Sequence, residues 1–204
     1  MAGKGISDFK SNFKGGARNN LFKVQMSPPR GVTSSLTTLT SLEYMVKTTS
    51  LPASTVEPLN VPFRGRDLKI AGKRNFEAWS VTVINDCDFN IRKMFEEWSA
   101  AMTYHDVNTS KYSKNSGFSF GDYMVNAQIY QLIHDGNDHV EGYGYNFIGL
   151  WPSNIGAIEL SSEGEAIEEF SVEFQYQYWV SNDSGIPPMP DSGNIGQIGN
   201  STRA

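Results

Sequence analysis

Apolar and polar residues alternate along much of this chain, and period two marks strands. Phe22, Val24 and Met26 alternate with Lys23 and Gln25, which predicts one half-buried strand. Ser27-Pro28-Pro29-Arg30-Gly31 breaks it, and a Ser/Thr-rich loop leads to a second alternating run at Leu42, Tyr44 and Val46. Leu51 to Pro62 holds prolines at 52, 58 and 62, which predicts an irregular stretch and excludes a central strand or helix. Leu68 to Ala71, Gly72 and Phe76 to Ile84 predict a hairpin with Gly72 at its tip and Trp79, Val81 and Val83 on one face. Val125, Ala127 and Ile129 run on into Leu132 and Ile133. Asp135-Gly136-Asn137-Asp138 then predicts a turn into a return strand through Tyr143, Tyr145 and Phe147. The last pattern is the plainest: Phe170, Val172, Phe174, Tyr176, Tyr178 and Val180 predict a single long strand.

One segment has helical period. Ile91, Phe95, Trp98 and Met102 lie four, three and four apart, so they form one stripe that needs burial against a sheet or barrel mouth. Asp88 is placed to cap the first turn. Residues 105–121 are polar and predict a loop. Residues 1–20 predict an N-terminal arm, 21–180 a single β domain, and 181–204 a C-terminal extension rich in Pro, Gly, Ser and Asn.

With 39% apolar residues over 204 positions, the chain is lean for a self-sufficient core, so burial against neighbouring copies is expected. No apolar run approaches the ~20 residues of a membrane span, and the N-terminal residues lack a signal-peptide core. Membrane insertion is not expected, and the chain should stay in the cytosol where it is made. One cysteine, Cys87, excludes an internal disulfide and suits a reducing compartment. The net charge of −5 is uneven: residues 1–20 carry +3, and residues 21–180 carry 12 basic against 19 acidic side chains. An acidic body argues against tight nucleic-acid binding, which sets cations against phosphates.

Candidate chemistry is sparse. His134 and His139 flank Asp135 and Asp138, but Asp and Asn at a hairpin turn ordinarily bond their own backbone. Cys87 lies between Asp86 and Asp88, whose charges disfavour a thiolate nucleophile. Glu163, Glu165, Glu168 and Glu169 beside Gly164 fit a solvated acidic turn better than catalytic carboxylates. Gly142-Tyr143-Gly144 lacks the lysine and following helix of a phosphate loop. No enzyme activity, metal or cofactor is expected. The basic run Arg64, Arg66, Lys69, Lys73 and Arg74 fits a phosphate strip or a solvated hairpin.

Two stretches carry a family likeness. The first runs through Leu51-Pro52-Ala53, Val61-Pro62-Phe63-Arg64, Ile70-Ala71-Gly72-Lys73-Arg74-Asn75-Phe76-Glu77-Ala78-Trp79 and Val81-Thr82-Val83-Ile84-Asn85-Asp86. The second is Gly149-Leu150-Trp151-Pro152-Ser153-Asn154-Ile155-Gly156, followed by an acidic turn and a strand closing on Tyr178-Trp179. Their order over residues 21–180 resembles the tail tube proteins of contractile-tailed bacteriophages. That resemblance implies a mainly β fold, a small barrel or sandwich with one flanking amphipathic helix, whose sheets are completed in a hexameric ring.

It also implies a structural virion protein, found in the phage tail and assembled in the host cytoplasm. Stacked rings would form the inner tube that conducts double-stranded DNA during ejection without binding it specifically. The implied partners are further copies of the chain, the tail sheath protein, and baseplate and tail terminator proteins. The same ring in a genome-free injection device (a bacteriocin, an extracellular injection particle or type VI secretion) is the alternative. Leu51, Pro52, Val56, Phe63, Arg64, Arg66, Lys73 and Arg74 are expected at subunit and ring contacts. Asn126 and Gln128, or Glu173, Gln175 and Gln177, are expected to face the bore. A monomeric β-barrel for a small apolar ligand is the more distant rival.

Overall fold

The computed structural model describes residues 5–13, 16–33, 36–104, 109–112, 117–119, 121–134, 139–162 and 165–182. In chain order the elements are α1 (Ile6–Phe13), β1 (Phe22–Met26), α2 (Leu36–Met45), β2 (Val46–Thr49), β3 (Ser54–Phe63) and β4 (Arg66–Phe76). They continue with β5 (Trp79–Ile84), α3 (Asn90–Met102), β6 (Val125–His134), β7 (His139–Ile155), β8 (Glu169–Gln175) and β9 (Tyr178–Ser181). Seven strands form one sheet in the order β1-β6-β7-β8-β5-β2, with β9 also paired to β7, and every pairing is antiparallel. Strands β3 and β4 form a separate two-stranded ribbon. The mainly β class with a flanking amphipathic helix is as expected, but the sheet is not closed within one chain.

Strand β7 organises the sheet. Its first part pairs with β6 on one side and with β9 on the other; its last residues, from Trp151 to Ile155, pair with β8. Gly149, at φ 67°, bends β7 between those parts, and a β-carbon there would lie 2.8 Å from Gln177 Cγ. The strand running alongside must break where β7 bends. The single long strand expected from Phe170 to Val180 is therefore two, separated at Tyr176 and Gln177, with Gln177 N–H donating to Ile148 O at 3.0 Å.

The core lies on one face of the sheet. Trp79, Val81, Val83, Phe170, Val172 and Phe174 from the β5–β8 pair meet Ile91, Met94, Phe95 and Trp98 of α3. Ala127, Ile129, Phe147 and Leu150 extend the same cluster under β6 and β7. Trp79 stacks on Phe147 at 4.4 Å, and Phe95 meets Phe174 edge-on at 5.9 Å. Met102, last of the stripe, is half-buried against the cluster. The indole N–H of Trp98 donates to Tyr123 O at 2.8 Å and that of Trp79 to Ser50 O at 2.9 Å, so neither ring buries an unpaired donor.

Several local expectations are corrected. The cap of α3 is Asp86, not Asp88: Phe89 turns left-handed (φ 57°), and the Asp86 carboxylate accepts from Asn90 and Ile91 N–H at 3.1 and 3.3 Å. The run Leu42, Tyr44, Val46 is not one strand. Residues 36–45 are helical and β2 begins at Val46; Leu39, Leu42 and Met45, three apart, face the core while Tyr44 is exposed. Gly72 is not a hairpin tip but lies within β4, and the tip is Arg64-Gly65. The stretch around Pro58 and Pro62 is a strand after all, because the ribbon's outer edges need no proline N–H. Within 105–121, Tyr112 is buried and its hydroxyl donates to Arg30 O at 2.7 Å, so this part of the expected loop is tied down. The turn expected at 135–138 lies outside the described residues.

Candidate functional site

Among the described strands, β3 and β4 of the ribbon bury the least of themselves within the chain. Cross-strand pairs share a face, so Leu59↔Ile70, Val61↔Leu68 and Phe63↔Arg66 put five apolar side chains and one arginine on one side. Pro58↔Ala71, Asn60↔Lys69 and Pro62↔Asp67 occupy the other. All five apolar residues are exposed, Phe63 by 66% and Leu68 by 62%. An exposed apolar ribbon face is a candidate contact surface.

Local chemistry makes the ribbon. Arg64 (φ 47°) and Gly65 (φ 79°) both have positive φ, as a two-residue hairpin turn with matching strand twist requires. The Arg64 guanidinium lies over the Phe63 ring, 5.3 Å from its centre. Between Val56 and Pro58 the register shifts: Gly72 and Lys73 of β4 stand against the single residue Glu57, so the bulge is in β4. Gly72 is part of it, and a β-carbon there would come within 2.7 Å of Glu57 O. At the ribbon base, Arg74 Nη1 approaches Ser54 Oγ at 3.4 Å.

Of the residues expected at subunit contacts, Val56, Phe63, Arg64, Arg66, Lys73 and Arg74 lie on this ribbon and are all exposed. Leu51 is exposed and Pro52 half-buried in the lead-in to β3. Among the described residues, Arg64, Arg66, Lys69, Lys73 and Arg74 have no ion-pair partner; the described ion pairs are Lys23–Glu43, Arg30–Asp122, Lys47–Glu169 and Arg92–Glu96. The sequence alone does not mark Leu59, Val61, Leu68 and Ile70 as a surface: their alternation is visible, but the three prolines argue against a strand there.

The residues expected to face a bore lie on the sheet face turned away from the core. Glu173 and Gln175 alternate with buried Val172 and Phe174 on β8 and are exposed, as is Gln177 in the break that follows. Asn126 and Gln128 alternate with Val125, Ala127 and Ile129 on β6. Both are half-buried; Asn126 Oδ1 accepts from Gly149 N–H at 3.4 Å and Gln128 Oε1 from the Tyr130 hydroxyl at 2.8 Å. Strands β6 and β8 flank β7 on opposite sides, so the two sets are not one continuous patch.

Among the described residues no three His, Cys, Asp or Glu side chains are grouped to hold a metal ion, and Cys87 is exposed. His105 and Glu163 and the side chains of His134 and His139 lie outside the described residues. Among them, too, no helix is long and apolar enough to cross a membrane.

The tail tube protein gp19 of Enterobacteria phage T4 is 28% identical over 177 residues, covering 85% of this chain and 98% of that protein. The tail tube protein of Serratia phage KSP90 is 30% identical over 138 residues, covering 67% and 73%. Two solved structures share the fold at low identity. A chain of the anti-feeding prophage baseplate matches at TM-score 0.55 and 12% identity, over 81% of this chain and 94% of its own. A chain of an extracellular contractile injection system's sheath-tube complex matches at TM-score 0.52 and 8% identity, over 84% and 95%. The phage tail tube protein family matches residues 17–182, through every strand and the α3 core just described, and this chain belongs to that family.

Proposed function

We propose that this chain is the inner tail tube subunit of a contractile phage tail, closing six to a ring and stacking into the conduit for double-stranded DNA. The observation that carries this is the ribbon: an apolar face and five cations without intrachain acidic partners among the described residues, projecting beyond a sheet whose end strands are β1 and β2. Open sheet edges aggregate unless covered. A ring in which β1 of one copy approaches β2 of the next removes both edges, and the ribbon buries its apolar face on an adjacent copy. Such contacts are head-to-tail; they close by rotation around the ring and stay open along the axis. Burial there gains roughly 25 cal/mol per Å² of apolar surface.

Within the tube, the polar face of β8 with Glu173, Gln175 and the following Gln177 lines the bore, since these side chains are exposed where Asn126 and Gln128 are already engaged. A bore carrying acids and amides repels phosphate and leaves DNA hydrated, over a range of ~10 Å at 0.1 M salt. The ribbon cations, turned to neighbouring copies, do not grip the passing backbone. The sheath surrounds the tube, and baseplate and terminator proteins bound its two ends.

Electron microscopy of the purified chain tests the assembly: rings or tubes are expected. A species that stays at 22.7 kDa by light scattering at high concentration overturns it. Phe63→Ser with Leu68→Ser should leave the monomer's stability within about 0.5 kcal/mol, because both side chains are already in solvent, and abolish tubes. Normal tubes from that double variant would place the contact elsewhere.

A further inference from the structure

Helix α1 lies before residue 17, where the match to the family model begins. Ile6, Phe9 and Phe13 lie three and four apart and form one stripe. They are 76%, 64% and 54% exposed, and the Phe9 and Phe13 rings stack on each other at 5.3 Å. No residue of the helix is buried. A helix of eight residues is marginal alone in water and depends on its apolar face being covered.

The surroundings indicate what covers it. The arm, residues 1–20, carries Lys4, Lys10, Lys14 and Arg18 against Asp8, a net +3. Its complement is the strap between β7 and β8, residues 157–168, with Glu159, Glu163, Glu165 and Glu168 and no cation. Two large apolar side chains of that strap, Leu160 and Ile167, are 78% and 72% exposed. The basic ribbon, the other large apolar surface, would repel the arm.

The two elements lie at opposite ends of β7. The arm joins the body where Arg18 O and Leu21 O accept from Gln131 Nε2 at 2.6 and 2.7 Å. Gln131 stands between the pairs Tyr130↔Gly144 and Leu132↔Glu141, near the start of β7. The strap leaves the far end, after Ile155, and is held there by Glu168 O, which accepts from Asn85 N–H at 2.9 Å. A basic apolar helix at one end and an acidic apolar strap at the other make a head-to-tail pair.

We infer that α1 docks on residues 157–162 and 165–168 of a second copy of this chain, setting Ile6, Phe9 and Phe13 against Leu160 and Ile167 with Lys10 toward Glu159, Glu165 and Glu168. This rests on the proposed tube, in which the partner copy belongs to the next ring. It assigns the N-terminal arm as an axial clasp, additional to the ribbon.

Crosslinking tests it on the full chain with Cys87→Ser. Two variants, Phe9→Cys and Ile167→Cys, are mixed, assembled and oxidised, and a dimer is read on a non-reducing gel. A disulfide dimer is expected in the mixture and in neither variant alone. Tubes without that dimer overturn the clasp and leave the tube standing; failure of the unsubstituted chain to form rings overturns both. A disulfide forming only within chains that carry both cysteines also overturns it. Lys10→Glu with Lys14→Glu should raise the concentration needed for tubes about tenfold at low salt, with the loss restored by Glu159→Lys and Glu165→Lys. A defect that the reciprocal pair leaves unrepaired counts against the strap as the docking surface.

Discussion

Individual side chains in the core are held by pairing as well as by burial. Trp98 fills space between α3 and the sheet while its indole N–H donates to Tyr123 O, so Trp98→Ala should destabilise by about 3–5 kcal/mol in denaturant unfolding. Asp86→Ala removes the acceptor for two N–H groups at the start of α3 and should cost about 1 kcal/mol, while Asp88→Ala changes little. Tyr176 is the reverse case. Its hydroxyl oxygen is buried without a hydrogen-bond partner among the described residues, and burial, then the nearby Glu77 charge, raises its pKa above the ordinary 10.0. The fold thus prefers the neutral phenol. That contribution is intact below pH 10 and is lost as pH rises through the raised value. Burial raises Tyr112, Tyr123 and Tyr145 in the same direction, so the denaturant midpoint should fall in alkali. Tyr176→Phe should be neutral to about 1 kcal/mol stabilising near pH 7 and should soften the alkaline loss. An unchanged pH profile would show that Tyr176 plays no part in it.

Among elements, the ribbon and the sheet answer to different demands. The sheet buries one face under α3 and α2 within a single chain. The ribbon has no buried side chain from Glu57 to Arg74, so its geometry is set by its turn and bulge. Gly72 is the sensitive point, because a side chain there meets Glu57 O, backbone that cannot step aside. Gly72→Val should leave the thermal unfolding of the sheet close to unchanged and remove tube formation, read by calorimetry and electron microscopy on one sample. A variant that assembles normally would show that the bulge is dispensable for contact. The break between β8 and β9 has a comparable origin in Gly149, where two strands must bend together.

At the scale of the whole molecule, the proposed tube assigns the open sheet, the projecting ribbon and the uneven charge to contacts with further copies of the chain. In the proposed tube, the body's −7 over residues 21–180, repeated around a ring, would set the field that DNA meets. Glu173→Lys with Gln175→Lys should leave tube length and diameter unchanged and slow DNA release from assembled virions, with the delay reduced by added salt. Unaltered release kinetics would mean that β8 does not line the bore.

How much of this was legible beforehand depended on whether local pattern and tertiary demand agreed. Alternation at Trp79–Val83, Val125–Ile129 and Phe170–Phe174, and the three-four spacing of Ile91, Phe95 and Trp98, marked the core directly, since each has a buried face repeating at its own backbone period. The residues of the Leu51–Asp86 stretch likewise carried the family likeness. Contacts distant in sequence decided the rest. Leu42 and Val46 match a strand period, yet packing against the core sheet makes the first helical. Prolines 58 and 62 argue against a strand, yet a free-standing ribbon has outer edges where a missing N–H costs nothing. Which aspartate caps α3 turned on one left-handed residue, Phe89, and where the last strand breaks turned on a glycine in its neighbour. Composition and period determined what is buried; only the assembled sheet decided where each strand ends and which apolar side chains remain uncovered, because those depend on partners far along the chain.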